Sequence, residues 1–481
     1  MSRRSLSLVV SLVMLAVASP APAQDAYDVA APPPPGFDRA AAQRDTRRHL
    51  DALIALDTQN PPGNERRAAA YFDSVLRGVP GVETRILDVG AGRANFVARL
   101  RAARPTKRPV LVMGHMDVVG ADTAKWDTPP FSPTERDGYL YGRGAIDDKG
   151  PLAATVAALV QLARQRDGLT RDIILLGTAA EEGGDVGIEW VANSAFELID
   201  AEFALNEGGR VRVVGGRVAT INVQTTEKVY YEIVARATGP SGHGSVPLPD
   251  NALAALARAV SRVHAWRAPV RLNETTRLYF ARLAQVESDT TMRSAMRRLS
   301  APGADSATIA AAADVLSRAP LHNAVLRTAA SLTLLNGGIR SNVIPSEGSA
   351  TFNVRALPGE DIRAFVRRMQ EVGGEERVTF TMTGEPGADP PPSPVTTDLF
   401  ASMERAARAM VPSAVVIPFM STGATDGAVL RARGIPTYGI LPFPLVMEDE
   451  LRMHGDNERV PVRALGWGAE YIYRVLQGVA R

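Results

Sequence analysis

The sequence predicts an α/β fold, a mainly parallel sheet flanked by helices, carrying a smaller inserted α+β domain. Three observations lead there. Between residues 95 and 205 short apolar runs alternate with helical patterns, the rhythm of parallel strands joined by crossover helices. From about Lys228 the order becomes strand, helix, strand, strand, helix, strand, which suits a small antiparallel layer. After the proline-rich run 387–394 the α/β character returns.

Taken in chain order, Arg3 and Arg4 precede an apolar run from Leu6 to Ala18 and the small-x-small triplet Ala21-Pro22-Ala23. That pattern reads as an export signal over 1–23, its apolar run shorter than the roughly 20 residues of a membrane span. Residues 24–38 hold Ala31-Pro32-Pro33-Pro34-Pro35-Gly36 and predict an extended tether. Residues 39–57 place Leu50, Leu53, Ile54 and Leu56 among charges, as an amphipathic helix does. It should end before Asn60-Pro61, since a residue preceding proline is pushed out of the helical region. Strands are expected at 95–100, 109–113 and 172–177, with a short one at 202–205. Helices are expected at 151–166, opened by Pro151, and at 186–199. In the insert the pattern gives a strand at 229–238, a loop at 239–250 and a helix at 251–266. An Ala- and Arg-rich helical stretch follows at 280–330. Strands at 330–335 and 349–355 bracket Asn342-Val343-Ile344-Pro345, and a helix at 361–371 and a strand at 378–383 complete the insert. The predicted organisation is 39–227 and 387–481 as two halves of one domain, with 228–386 inserted between them.

Composition narrows the function classes. The chain has 481 residues, 45% hydrophobic and 22% charged, enough for two or three domains with a sizeable core. Lys+Arg is 54 against 52 acids, and Arg3 and Arg4 account for the difference. A neutral mature chain lacks the basic excess that nucleic acid or an anionic membrane surface demands. With no cysteine there is no disulfide, thiol nucleophile or thiolate-bound metal. The four lysines against abundant Arg, and the many alanines, suggest a GC-rich bacterial genome; with the signal, this points to a periplasmic or secreted protein.

Four acidic or imidazole-bearing segments follow predicted strands, where ligands gather in open α/β sheets. His115-Met116-Asp117 can aim an imidazole at a metal, with a carboxylate orienting the ring, although the pair alone more often marks a surface His beside a loop acid. Gly142-Arg143-Gly144-Ala145-Ile146-Asp147-Asp148-Lys149-Gly150-Pro151 sets two acids side by side at a helix start, costly without a cation. Helix capping explains one of these acids but not the whole string. In Glu181-Glu182 one carboxylate could bind metal and the other move a proton; an exposed acidic turn is the competing reading. Asn206-Glu207-Gly208-Gly209 is weak alone, and Met453-His454-Gly455 offers a late imidazole. His49, His264 and His322 stand in charged helical contexts and read as surface residues, and Lys149 as a local salt bridge or helix contact. No Gly-x-Ser-x-Gly and no His-Glu-x-x-His occurs, which argues against serine hydrolase chemistry and excludes a single-zinc helix site.

Taken together and in this order, these segments resemble the dizinc aminoacylase/carboxypeptidase metallopeptidase family, which includes succinyl-diaminopimelate desuccinylase and glutamate carboxypeptidase. Gly239-Pro240-Ser241-Gly242-His243, Asn342-Val343-Ile344-Pro345 and Ala424-Thr425-Asp426 look most like its vacuolar carboxypeptidase S and secreted N-acyl-amino-acid hydrolase branch. The resemblance implies a zinc-peptidase-like sheet with a ferredoxin-like lid and dimerisation domain. It implies that Asp147 bridges two Zn2+ (Co2+ or Mn2+ being alternatives), one with Glu182 and His454, the other with His115 and Glu207. Asp117 would fix the His115 tautomer. Glu181 would be the base assisting attack of a metal-bridging water, and His243 would donate to the oxyanion across a homodimer. Arg355 and Asn342 would hold the substrate's free carboxylate, and Asp426 would support the site from behind. The implied reaction cleaves the amide next to a free carboxylate in small peptides or N-acyl amino acids. Two alternatives stay open: a cocatalytic dizinc aminopeptidase, and an inactive binding protein on the same scaffold, which the intact Glu181 disfavours.

Overall fold

The computed structural model describes residues 25–385 and 389–481. The expected export signal and the expected seam at 386–387 lie outside the described residues.

An eight-stranded sheet carries the larger domain. Its order is Val415–Ser421, Arg217–Glu227, Thr437–Leu445, Phe203–Val214, Val110–His115, Ile173–Thr178, Arg93–Leu100, Val82–Gly90. The four central strands, 437–445, 203–214, 110–115 and 173–178, run parallel. An antiparallel hairpin, 82–90 with 93–100, closes one edge. Strands 110–115 and 173–178 are buried at every position, as parallel strands covered on both faces must be. Helix Lys149–Ala163 is apolar on nearly all sides and buried at every position but Val160, because it lies against helices Arg39–Ile54 and Val462–Ala480 as well as the sheet.

The inserted domain is a four-stranded antiparallel sheet, ordered Ala329–Gly337, Glu347–Ala356, Val229–Thr238, Val378–Thr383, with helices Ala252–Ala265 and Ile362–Gly373 on it. Strand, helix, strand, strand, helix, strand in that spatial order is the ferredoxin-like arrangement expected. Its core of Ile233, Leu256, Phe352, Phe365 and Phe380 is its own.

Several expectations need correction. The helical stretch assigned to the insert forms four helices over 274–326, and these pack on the larger domain. Tyr279, Phe280, Met296, Leu299 and Leu316 share a core with Ile417, Phe419 and Met420. Strand 415–421 is the edge of the large sheet, and its apolar side chains need a cover that the helices provide. Thus the insert folds as two blocks, and only 229–268 and 329–383 build the lid. The short strand expected at 202–205 is the twelve-residue Phe203–Val214, so Glu207 sits within a strand and not at its end. Extension past Glu207 depends on glycine. A Cβ on Gly209 would meet the carbonyl oxygens of Gly439 and Asn222 at 2.2 and 2.3 Å. The tether, as far as it is described, is docked on the body. Phe37 packs its ring 4.7 Å from that of Tyr473, and Ala30 N–H donates to the Met410 carbonyl at 2.8 Å. A proline run cannot bond its own carbonyls, and Arg474 donates to that of Pro32. His49 is buried, 2.7 Å from the Tyr71 hydroxyl, and burial lowers its pKa to about 4; His322 packs edge-on to Tyr279 and Phe280. Both are packing residues and not surface ones. Only His264 is exposed as expected.

Candidate metal centre and active site

His115 is the last residue of strand 110–115 and is buried. Its Nδ1 lies 2.9 Å from the main-chain carbonyl oxygen of Asp117. A carbonyl only accepts, so Nδ1 carries a proton, which turns Nε2 toward Asp147 Oδ1, 3.0 Å away. The Asp117 carboxylate stands farther off, 3.6 Å from Nδ1. It accepts instead from Asn60 Nδ2 at 2.8 Å and from the peptide N–H groups of Glu181 and Glu182 at 3.2 and 3.1 Å. Asp117 therefore orients the ring with its backbone and shapes the 180–182 turn with its side chain.

Asp147 is placed just before helix 149–163, and its two oxygens face opposite partners. Oδ2 lies 3.1 Å from His454 Nε2, which is also 3.1 Å from Glu182 Oε1. Ligand atoms about 2.05 Å from a tetrahedral ion stand roughly 3.3 Å apart, so these separations suit a shared cation as well as hydrogen bonds. Two triads emerge: Asp147, Glu182 and His454, and His115, Glu181 and Glu182, each offering ligand atoms within 4.8 Å of one another. Glu207 belongs to neither triad. It is buried nearby, and burial together with the charge of Asp147 raises its carboxyl to about 8.

Whether cations fit can be judged from charge and hydrogen bonding. Glu182 Oε1 is buried, and its 3.1 Å contact with His454 Nε2 is an ion pair and not an aligned hydrogen bond. Burial, with Glu207, Asp426 and Glu182 adding to it, pushes Glu181 up to about 10. Asp147 is held far below the usual carboxylate range by His115 and His454 against the cost of its burial, and Asp147 and Glu182 raise His454 to about 10. Lys149 is itself buried; desolvation lowers it to about 7, and its Nζ donates to the Leu56 carbonyl at 2.7 Å. The group thus gathers more negative charge than its own cations match, and its inward donors are imidazole nitrogen and carboxylate oxygen. That is the donor set of divalent zinc, cobalt or manganese, and the residues fit it.

Two of the turns are held in left-handed backbone, Ala180 at φ +60° and His454 at φ +59°. For a residue with a side chain this costs about 1 kcal/mol or more, so other contacts must impose it. Around Ala180 these are residues the sequence reading gave no role. Glu65, paired with Arg93 at 2.6 Å, accepts from the Ala180 N–H, and Asn95 Oδ1 accepts from Ala179. Asn60 also donates to the Gly183 carbonyl at 2.6 Å. The expected support from Asp426 takes a definite form: Thr178 Oγ1 donates to its carboxylate at 2.7 Å, at the end of the strand leading to Glu181. No sequence signal links the 178–183 segment to these partners, which lie 84 to 248 positions away.

Three expected site residues stand on the lid. His243 is exposed, its Nδ1 2.8 Å from the Ser245 hydroxyl. Its strand pairs with Val343–Ile344, so Asn342, also exposed, lies beside it and accepts the Gly244 N–H at 2.7 Å. Arg355 is half-buried, its guanidinium 4.8 Å from the Tyr230 ring and its Nε 3.1 Å from Asn353 Oδ1. Among the described residues, none of the three bonds to the carboxylates or imidazoles of the centre.

A carboxylate-rich, two-imidazole centre beside the carboxyl ends of parallel strands, in a chain that carries an inserted α+β domain, defines a metallohydrolase. Residues 111–478 match the model of peptidase family M20/M25/M40, and the chain belongs to that family of metal-dependent hydrolytic enzymes. It is 28% identical to the human N-fatty-acyl-amino acid synthase/hydrolase PM20D1 over 79% of this chain and 75% of that one. It is 30% identical to the probable carboxypeptidase S-like 2 of Dictyostelium discoideum, over 78% of this chain and 72% of that one. The same fold occurs in the M20 family metallo-carboxypeptidase Sso-CP2 from Sulfolobus solfataricus, with a TM-score of 0.67 at 17% identity, covering 91% of this chain and 99% of that one.

Proposed function

We propose that this chain is an exported dinuclear metallohydrolase that cleaves the amide next to a free carboxylate in small peptides or N-acyl amino acids. The observation that carries the reading is Asp147, one carboxylate facing two imidazoles that enter from positions 115 and 454, with Glu181 beside them. Two divalent ions, zinc by the chemistry of the donors, would polarise the amide carbonyl and make water nucleophilic at neutral pH. Asp147 would hold both ions, with Glu182 and His454 on one side and His115 and Glu207 on the other. With cations offsetting the burial and neighbouring negative charge that raise it, Glu181 would be ionised, accept the proton of the attacking water and return it to the leaving nitrogen. Arg355 offers the planar fork that matches a carboxylate, with Asn342 as second donor. The names of the relatives, an N-fatty-acyl-amino acid hydrolase and a carboxypeptidase, support both substrate classes. Periplasmic or secreted placement is supported by the N-terminal signal pattern.

The test is hydrolysis of a panel of N-blocked dipeptides, N-acyl amino acids and C-amidated dipeptides with a free amine, with and without chelator. Carboxylate-bearing substrates should be cleaved only when metal is present. Cleavage confined to C-amidated peptides with a free amine would establish the aminopeptidase alternative.

We also infer a homodimer built through the lid. Strand 329–337 is the lid sheet's edge and exposes Leu334 and Leu335, more than half accessible, with Ile339 just beyond. An edge this apolar is a template for another strand. The resemblance implies that in such a dimer His243 serves the neighbouring subunit's centre. Leu335→Lys should convert the dimer to a folded monomer in sedimentation velocity and lower turnover; an unchanged sedimentation coefficient rules the edge out as the interface.

A further inference from the structure

Arg143 and Glu458 form an ion pair that is 2% and 1% exposed, with Nη1 to Oε2 at 2.9 Å. Both lie between a short strand pair and the centre. Tyr139–Tyr141 runs antiparallel to Arg459–Pro461, and past the first strand the chain leads to Asp147, while ahead of the second it carries His454. The Glu458 carboxylate accepts three further bonds, from the N–H groups of Gly144 at 3.0 Å, Ile146 at 2.7 Å and Asp147 itself at 3.2 Å. Arg143 Nη2 reaches the other side, donating to the Gly455 carbonyl at 2.9 Å, next to His454 in its left-handed conformation. Its guanidinium also lies over Trp126, 5.1 Å from the ring centroid.

Burying two charges costs several kcal/mol per ion, and an apolar pair of similar volume would fill the space at no such cost. What the ion pair adds is geometry, since its bonds end on the peptide of one imidazole-facing acid and beside the imidazole it faces. We propose that Arg143 and Glu458 are positioning residues that set the spacing of Asp147 and His454 before a cation arrives, and so raise the affinity of the ion shared by Asp147, Glu182 and His454. This rests on the two-ion reading above.

The experiment uses the full mature chain, stripped with chelator and titrated calorimetrically with Co2+ and with Zn2+, alongside thermal unfolding of the metal-free form. In Glu458→Gln one ion should bind about 10- to 100-fold more weakly, the usual effect of removing a group behind a ligand, with the other unchanged. Arg143→Lys keeps a positive charge against Glu458, but a single ammonium cannot span Glu458 and Gly455 as the fork does. It should weaken the same ion, and it decides the matter if Glu458→Gln does not fold. Two ions held at wild-type affinity in the variants overturn the proposal alone. Equal weakening of both ions together with a lowered metal-free melting temperature also overturns it, marking the pair as merely structural. A wild-type chain that takes up a single ion overturns the two-ion reading and the proposal with it.

Discussion

Glu181→Gln is expected to retain both metal ions and lose turnover by about 10²–10⁴-fold, the usual contribution of a positioned proton-transfer group. The geometry makes this a sharp test because Glu181 stands close enough to His115 and Glu182 to be a ligand instead. Its position is not adjustable. The preceding Ala180 is held at φ +60°, and the Glu181 N–H is fixed on the Asp117 carboxylate at 3.2 Å. A base should leave metal content untouched, and the loss should fall on kcat with little change in KM. Metal analysis of the dialysed variant beside its steady-state kinetics separates the roles. Loss of an ion with the activity would make Glu181 a ligand, and near-wild-type turnover would remove it from the chemistry. If the scaffold served only to bind, neither quantity would follow the substitution.

The parts of this molecule that were legible in the sequence are those written locally. Strands 229–238 and 378–383 match their expected bounds because alternation with a period of two is visible in a single strand. The lid's ferredoxin-like order follows from the succession of its elements. Asp147, Glu182 and His454 come together as the resemblance implied, each carried by one of the short strings whose order along the chain suggested it. What was illegible depends on contacts across the chain. Helices 274–326 fall inside the insert by position yet bury their apolar faces on Phe419 and Met420, a choice set by which sheet edge needs cover. His49 and His322 stand among charged neighbours, but their rings turn inward, and charge pattern along a helix does not say which way one side chain points. Glu458 and Arg143 lie 315 positions apart, and nothing in either string announces the other. Glu207 lies inside a strand that continues only because Gly209 allows neighbouring carbonyls to approach, a tertiary condition absent from its own segment.

Asp147→Asn should cost both ions where His454→Ala costs one. Asp147 directs Oδ1 toward His115 and Oδ2 toward His454, at 3.0 and 3.1 Å, so its carboxylate faces the imidazole of each half of the centre. An amide keeps the shape and one carbonyl oxygen but gives up the charge, and its NH2 would point a donor at one of the two imidazoles. The negative charge balancing both cations falls, and one side loses its oxygen ligand outright. Removal of the His454 ring leaves His115, Glu207 and both Asp147 oxygens in place, so only the ion shared with Glu182 should weaken. Equilibrium dialysis against Zn2+ followed by metal analysis reads the difference directly. The expected contrast is near-complete loss for Asp147→Asn and retention of one ion for His454→Ala, with turnover abolished in the first. Thermal unfolding adds an independent reading, because a ligand at a hundred times its dissociation constant stabilises the native state by about 2.7 kcal/mol. The rise in melting temperature on adding Zn2+ should vanish in Asp147→Asn and be reduced in His454→Ala. Equal retention of metal by the two variants would mean that Asp147 serves one ion only, and the shared carboxylate would have to be sought in Glu182, whose side chain stands in both triads.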